Sequence, residues 1–164
     1  YGTISNKLKT FGAEIYFEKF FYSYFKYSLS NSFINQKSYI GSKRFNGPSH
    51  LNYFIKTFIQ YNNPTLFSLS FVYLTRPGTF VNTVERAEYN QDLNVYYPIF
   101  SSDYFNNQLP AYNRFDVSFS KFIRLKSLSV ATFISLNNVF NNKNAMRPIY
   151  SRDYQSFQYV AISE

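Results

Sequence analysis

The sequence predicts an all-β fold, an antiparallel transmembrane β-barrel segment with about six spanning strands. Three observations support this prediction. Apolar and polar residues alternate with a period of two over several segments, the apolar positions are mostly bulky or aromatic, and the links between segments are alternately short and long. A period of two is typical of a strand that has one apolar and one polar face.

The alternating segments are residues 11–19, 21–33, 50–61, 66–73, 114–122 and 128–136. The bulky positions on one face are predicted to contact lipid: Phe11, Ile15, Phe17, Phe25, Tyr27, Leu29, Phe67, Leu69, Phe71, Phe115, Val117 and Phe119. The charged positions on the other face are predicted to line the interior of a barrel: Glu14, Glu18, Lys26, Lys56, Arg114 and Asp116. Such an outward apolar and inward polar arrangement is typical of transmembrane barrels.

The links between these segments supply a second, independent signal. Short links are predicted near residues 19–20, at 62–65 and at 123–127, whereas long links fill 34–49 and 75–112. Transmembrane barrels have short periplasmic turns and long extracellular loops, so the long links are predicted to lie outside the cell. Residues 141–164 are expected to form a third extracellular loop, as a hairpin arm and not as a seventh spanning strand.

Composition excludes several other classes of protein. The chain has no Cys, which excludes disulfide bonds and thiolate metal sites. No segment approaches the roughly 20 apolar residues that a transmembrane helix needs. The formal net charge of +8 comes from dispersed Lys and Arg, with no run longer than Lys43-Arg44. Dispersed charge of this kind is usually solvated, so we expect no nucleic-acid partner.

Four motifs then suggest a family. Residues 11–30 contain FGAEIYFEK followed by YFKYSLS, and residues 74–79 read LTRPGT. Residues 109–118 read LPAYNRFDVS, and residues 135–141 read SLNNVFN. In this order the motifs resemble the C-terminal barrel of TonB-dependent receptors, which are transporters of the Gram-negative outer membrane. The last two resemble the type that has a carboxypeptidase-regulatory-like N-terminal domain.

The resemblance implies more than the residues alone. It implies a barrel of 22 strands that encloses a plug domain, with the charged face of this segment directed towards that plug. It implies uptake of a scarce nutrient, such as an iron chelate, a vitamin, a glycan or a peptide. The implied partners are outer-membrane lipid, the rest of the barrel and its plug, TonB through an N-terminal part that is absent from this chain, and a surface lipoprotein.

The ends of the chain depart from the family pattern. Members of the family end on one more strand that closes with an aromatic residue, whereas this chain stops at Glu164. The final strand is therefore expected to be missing, and neither a plug nor a TonB-box peptide is recognised in residues 1–164.

No enzyme site is expected from the sequence. His50 is the single histidine and has no evident orienting partner, so it is interpreted as a lumen or loop residue. Glu85, Glu88 and Asp92 lack the ligand spacing of a calcium loop. We therefore expect no catalytic residue, no metal site and no cofactor.

The long loops carry aromatic residues for which two interpretations remain open. They stack on a ligand such as a sugar or a chelate, or they pack the loops together, and packing is favoured because amphipathic Tyr suits half-buried surfaces. The candidates for ligand contact are Tyr39, Phe45, Tyr89, Tyr96, Tyr97 and Tyr104.

Two alternative folds compete with the barrel segment. One is a secreted or surface-attached β-sandwich that binds glycans, although apolar stripes exposed on every strand argue against it. The other is a small stand-alone outer-membrane barrel of about eight strands. That barrel needs an even strand number and a closing aromatic terminus, and the sequence has neither.

Overall fold

The structure is a computed structural model that describes residues 6–47 and 49–162. Pro48 in the first predicted loop and the last two residues of the third lie outside the described residues. All regular structure in the described part is β. The strands are β1 (Asn6–Phe21), β2 (Phe25–Ile40), β3 (Lys43–Asn46), β4 (Leu51–Asn63), β5 (Phe67–Arg76), β6 (Phe80–Val81), β7 (Val84–Asn90), β8 (Val95–Phe100), β9 (Asn107–Gln108), β10 (Tyr112–Arg124), β11 (Ser129–Leu136), β12 (Asn144–Tyr150) and β13 (Phe157–Ile162).

Six long strands form one antiparallel sheet in the order β1-β2-β4-β5-β10-β11, which we call the wall. Each long strand is followed in the sheet by the next long strand along the chain. All six alternating segments of the sequence are therefore strands, and the all-β antiparallel prediction is confirmed. The sheet is open, since β1 and β11 each have one paired side in the described part of the chain.

Tight turns join the long strands at one end of the wall. They cover residues 22–24, 64–66 and 125–128. The first turn lies slightly later than predicted, because Phe21 belongs to the end of β1 and pairs with Phe25 across the turn. Tyr22 takes a positive φ of 54° there, which closes the hairpin with few residues.

The opposite end of the wall carries all the long connections, which we call the loop side. Residues 34–49, predicted as a long link, are strand for most of that range. β2 continues to Ile40, turns at Gly41 with φ 59°, and returns as β3. Residues 34–40 show no alternation of apolar and polar side chains, and the chain stays extended there because β2 pairs with β1 as far as Ile40.

The other two long segments contain small hairpins of their own. β7 and β8 form one hairpin and β12 and β13 form another, while β6 pairs with β9 at the base of the first. The hairpin expected within residues 141–164 is therefore present and does not join the wall. In the described part of the chain, the small hairpins have few close contacts with the strands of the wall.

The wall has no hydrophobic core. Among the described residues, Leu109 on the loop side is the one buried aliphatic or aromatic hydrophobic residue, and Pro77, which precedes Gly78, is also buried. Large side chains on the wall stay exposed, including Phe11 at 68% and Ile15 at 73%. The described part of the chain contains no helix long and apolar enough to cross a membrane.

Candidate functional site

One face of the wall is almost continuously apolar. From β1 to β10 the antiparallel register matches odd positions with odd positions, as in Phe25 with Tyr61, Tyr61 with Leu69, and Leu69 with Phe119. Between β10 and β11 it matches odd positions with even ones, as in Phe119 with Ile134. All twelve predicted lipid-facing residues occupy odd positions, so they lie together on this face. The structure thus assembles a single apolar surface from separate strands, and Phe140 of the connection after β11 stacks on its Phe115 ring at 5.2 Å.

The apolar residues form a band that crosses the strands obliquely. In β1 the band covers residues 11–17, and its midpoint follows the register to Phe54 of β4. In β11 it covers residues 130–136, and its midpoint follows the register to Asn62 of β4. These positions are eight residues apart, or about 26 Å, over strand pairings that together span about 24 Å. The strands therefore tilt by about 45° from the normal to the band.

Aromatic rings form a row across this face near the tight turns. The ring of Tyr61 lies 5.0 Å from Phe25 and 5.1 Å from Phe67, and Phe67 lies 5.7 Å from Phe119. Tyr24 in the first turn approaches Tyr61 at 6.2 Å. A row of Tyr and Phe therefore lies at the end of the apolar band that is nearest the tight turns.

The opposite face carries the predicted lumen residues. All six occupy even positions, which the register places together. Glu18 and Lys26 form an ion pair with 2.8 Å between Oε2 and Nζ, and the Tyr16 hydroxyl donates to the same carboxylate. Ser30 donates to Glu14 Oε1 at 2.7 Å. These contacts link neighbouring strands.

Sequence reasoning missed an apolar cluster on this polar face. Phe54 and Phe58 of β4 lie beside Val72 and Leu74 of β5, all at even positions. With Lys56 and the neighbouring strands, three of them line a shallow depression of about 480 Å³. The signal was present in the sequence, because residues 50–61 interrupt the alternation with Phe at two even positions.

Asp116 has a local partner that the sequence did not indicate. Its carboxylate accepts from Arg114 Nε at 2.8 Å. It also accepts from the backbone N–H of Asn138 at 2.8 Å. Asn138 in turn exchanges hydrogen bonds with Asn142, so one carboxylate anchors the connection that leaves β11.

A second close contact joins the connection after β5 to the strand entry before β10. A Cβ atom added at Gly78 meets the Leu109 carbonyl oxygen at 1.8 Å. The same approach brings the Leu109 N–H to the Thr79 carbonyl at 3.0 Å, and Gln108 Nε2 donates to the Gly78 carbonyl at 3.0 Å. Glycine is therefore required here for space.

Three of the four motifs consequently meet at the loop-side end of the wall. LTRPGT contacts LPAY through Gly78 and Leu109, and NRFD contacts SLNNVFN through Asp116 and Asn138. Residues separated in the sequence form one continuous hydrogen-bonded junction. The three motifs are distant from one another in the sequence because each supplies a different part of this junction.

His50 has a structural place in the same region. It is 8% exposed, its Nδ1 accepts the backbone N–H of Gln36 at 3.3 Å, and its ring lies 6.0 Å from Phe80. It holds the end of β2 against the start of β4. Among residues 6–47 and 49–162, no three His, Cys, Asp or Glu side chains are grouped as a metal site.

Most of the loop aromatics pack on other loop residues. Phe45 lies 5.2 Å from Tyr104, Tyr89 lies 5.0 Å from Tyr96, and Tyr39 receives Lys9 over its ring at 5.8 Å. Tyr97 projects to the surface at 44% exposure.

A cleft of about 430 Å³ lies between the two large hairpins of the loop side. β7 and β8 supply Glu85, Arg86 and Tyr96 on one side of the cleft, and the hairpin of β12 and β13 supplies the opposite side. The Val84 N–H donates to Tyr150 Oη at 3.1 Å and fixes the two hairpins to each other. Of the six predicted ligand-contact residues, Tyr96 is the one that lines this cleft. Tyr150, Asp153 and Tyr154 on the opposite side of the cleft were not among the predicted residues, because their position depends on how the β12–β13 hairpin lies against β7.

In comparisons with known proteins, no family model, no curated sequence and no solved structure matches this chain.

Proposed function

We propose that this chain forms wall and extracellular loops of a TonB-dependent transporter in the Gram-negative outer membrane. The observation that carries the proposal is the single-layered wall with one apolar face, one polar face and no core. An exposed apolar surface of this size is unfavourable in water and favourable against lipid acyl chains.

The geometry of the apolar band supports the same proposal. Strands of transmembrane barrels tilt by about 35–45° from the membrane normal, and the strands of the wall tilt by a similar angle from the normal to the apolar band. The tight turns then lie on the periplasmic side, and the loop side faces the outside of the cell. Soluble sheets have no physical reason to limit their apolar residues to an oblique band.

The open edges of the wall indicate what completes it. β1 has 16 residues, and only its side towards β2 is paired in the described part of the chain. Long unpaired edges invite pairing with further strands, and within lipid every backbone group needs a partner. Further strands of the same barrel, beyond β1 and beyond β11, meet that requirement.

In this proposal, the polar face of the wall is the surface that contacts the plug. Its charged residues suit a hydrated interior, and its apolar cluster around Phe58 and Val72 suits packing against a folded domain. Movement of that plug by TonB is what the resemblance implies, and this chain contributes the wall against which the plug moves. The nutrient passes between them.

A matched pair of cysteine variants tests the membrane part of this proposal. The chain has no Cys, so Phe71→Cys and Ser70→Cys each introduce one thiol on opposite faces of β5. In membranes, a fluorophore at position 71 is expected to be quenched by brominated lipid. Position 70 is expected to react instead with a membrane-impermeant maleimide. Equal labelling at both positions, with no lipid quenching at either, contradicts the proposal.

Uptake tests the transport part. Cells that produce the whole receptor are expected to lose uptake of its nutrient when TonB is deleted, and binding to the cell surface is expected to persist. Uptake that continues without TonB leaves a passive pore, which rejects the energy-coupled transporter and keeps the membrane wall.

A further inference from the structure

We propose that the cleft between the β7–β8 hairpin and the β12–β13 hairpin binds a neutral glycan. This inference deepens the proposed function and rests on it in one respect, because it takes the loop side to face the outside of the cell. The binding itself depends only on the cleft and does not require transport.

Aromatic rings cover two sides of the cleft. Tyr150 lies 5.9 Å from Tyr154 and 5.6 Å from Phe157, with ring planes tilted by 41° and 49°, so these rings form an aromatic cluster on the β12–β13 hairpin. Tyr96 stands on the β7–β8 hairpin, where its ring lies 5.0 Å from that of its cross-strand partner Tyr89. Sugar rings present flat C–H faces and hydroxyl edges. Tyr offers both an apolar face and a polar hydroxyl for such surfaces.

The charges of the cleft select against anions. Glu85, Arg86 and Asp153 line it, and Arg86 is already paired with Glu88 at 3.0 Å. Carboxylates thus outnumber cations two to one among the charged residues that line the cleft. Anionic chelates and phosphates meet repulsion there, whereas sugar hydroxyls donate to carboxylate oxygens without any charge on the ligand.

The turn of the second hairpin is held in a defined conformation. Asp153 accepts from Ser151 Oγ and from the Gln155 N–H, and both bonds lower the pKa of this carboxyl below its ordinary value. Tyr154 takes a φ of 59°, which the bond from its N–H to the Ser151 carbonyl supports. A preorganised site loses less entropy on binding than a mobile loop does.

The size of the cleft limits the ligand. A volume of about 430 Å³ is near the lower end of the range for small-molecule pockets, which is about 300–1,000 Å³. It accommodates about one or two sugar rings of a longer chain. An oligosaccharide therefore lies across the two hairpins, with its ends in solvent.

The test uses the intact receptor in detergent and an array of neutral oligosaccharides, followed by calorimetric titration of the tetrasaccharide that binds best. Tyr96→Ala is expected to raise Kd by about tenfold or more, because it removes a stacking face. Tyr96→Phe keeps the ring and is expected to stay within about threefold. The matched control is Tyr97→Ala, the neighbouring exposed tyrosine that does not line the cleft, with an expected change below about twofold.

Several results overturn the inference. No binding to any neutral oligosaccharide overturns it, as does an equal loss in Tyr96→Ala and Tyr97→Ala. Suppose that tetralysine binds instead of a glycan, and that its binding is lost in Glu85→Gln. This result overturns the inference in favour of a cationic peptide as the ligand. Glycan binding without lipid quenching at position 71 keeps the cleft and rejects the membrane wall, whereas quenching without glycan binding does the opposite.

Discussion

The wall and the loop side of this molecule hold their shape in different ways. The wall repeats a single rule, in which even and odd positions alternate and backbone pairing continues from β1 to β11. The loop side depends on individual contacts, such as Asp116 with Asn138, Val84 with Tyr150 and Gly78 against Leu109. A repeated rule tolerates many substitutions that preserve the face. An individual contact tolerates few.

This difference teaches where each region obtains its stability. The wall has no core, so its apolar side chains contribute only when lipid or other chain segments cover them. The loop side carries its own ring contacts and hydrogen bonds and is less dependent on its surroundings. If the wall belongs to a membrane barrel, as proposed, substitutions in it are therefore expected to affect insertion of the whole barrel, and those on the loop side to act locally.

A charge on the apolar face is the largest expected perturbation. Phe71→Arg places a guanidinium near the middle of the band and is expected to destabilise the inserted barrel by about 2–4 kcal/mol. Ser70→Arg, on the polar face of the same strand, is the control and is expected to cost much less. Urea unfolding of the intact protein in lipid vesicles measures both. Equal destabilisation by the two variants removes the distinction between the faces.

The same substitution at two glycines compares the wall with the loop side directly. Gly78→Ala forces the backbone away from the Leu109 carbonyl and is expected to cost about 1–3 kcal/mol. Gly12→Ala in β1 meets its nearest backbone atom at 3.1 Å and is expected to cost less than Gly78→Ala. Hydrogen exchange is expected to increase around residues 101–110 in the first variant. Faster exchange throughout the wall contradicts a local effect.

Removal of the Asp116 carboxylate comes next in size. Asp116→Ala leaves the Asn138 N–H and the Arg114 guanidinium without this acceptor, at an expected cost of about 1–2 kcal/mol. Hydrogen exchange is expected to rise at residues 137–144. The control is Glu18→Ala, which breaks an exposed ion pair and is expected to leave that segment unchanged. Loss of plug retention with unchanged exchange at Asn138 instead assigns Asp116 to the plug.

The smallest expected effect is the loss of stability of the Asp153 turn at low pH. The pKa of Asp153 is lowered by its hydrogen bonds, so its carboxylate stabilises the turn at any pH above the ordinary carboxyl value of 3.8. That stabilisation is lost only as the pH falls below this value, towards the lowered pKa. Exchange of the Gln155 amide, corrected for its intrinsic pH dependence, is expected to stay slow from pH 7 to about pH 4.5. Asp153→Asn removes the acid-dependent loss, and a wild-type loss near pH 6 contradicts the assignment.

The wall was largely predictable from the sequence, for a physical reason. Strand side chains alternate with a period of two, so Phe67, Leu69 and Phe71 identify a strand and its apolar face without further information. The tight turns followed from the spacing of these segments. The extension of β2 to Ile40 was missed, because it is polar on both faces and periodicity in hydropathy does not report it.

The cleft and the junction could not be predicted in the same way. Tyr96 was a candidate among several loop aromatics, and nothing in its local sequence separates it from Tyr97. The separation depends on where the β12–β13 hairpin lies, which depends on one hydrogen bond from Val84 to Tyr150. Similarly, Asp116 was recognised as charged, whereas its bond to Asn138 depends on a contact across 22 residues of chain.

The proposal that the wall crosses a membrane is tested by measuring the tilt of the apolar band relative to the bilayer. Single cysteines at Ile15, Phe71 and Thr132, each carrying a fluorophore, are quenched by lipids brominated at defined depths in native-like membranes. If the strands of the wall cross a bilayer at about 45°, the fluorophores at Ile15, Phe71 and Thr132 lie near the same depth. Lys19 pairs through β2 and β4 with Phe71, so the two share one strand register. A fluorophore at Lys19→Cys is nevertheless expected to lie closer to the membrane surface, because the strands are tilted. Equal depths for Lys19 and Phe71, with Ile15 displaced, or no quenching at any site, contradict the account.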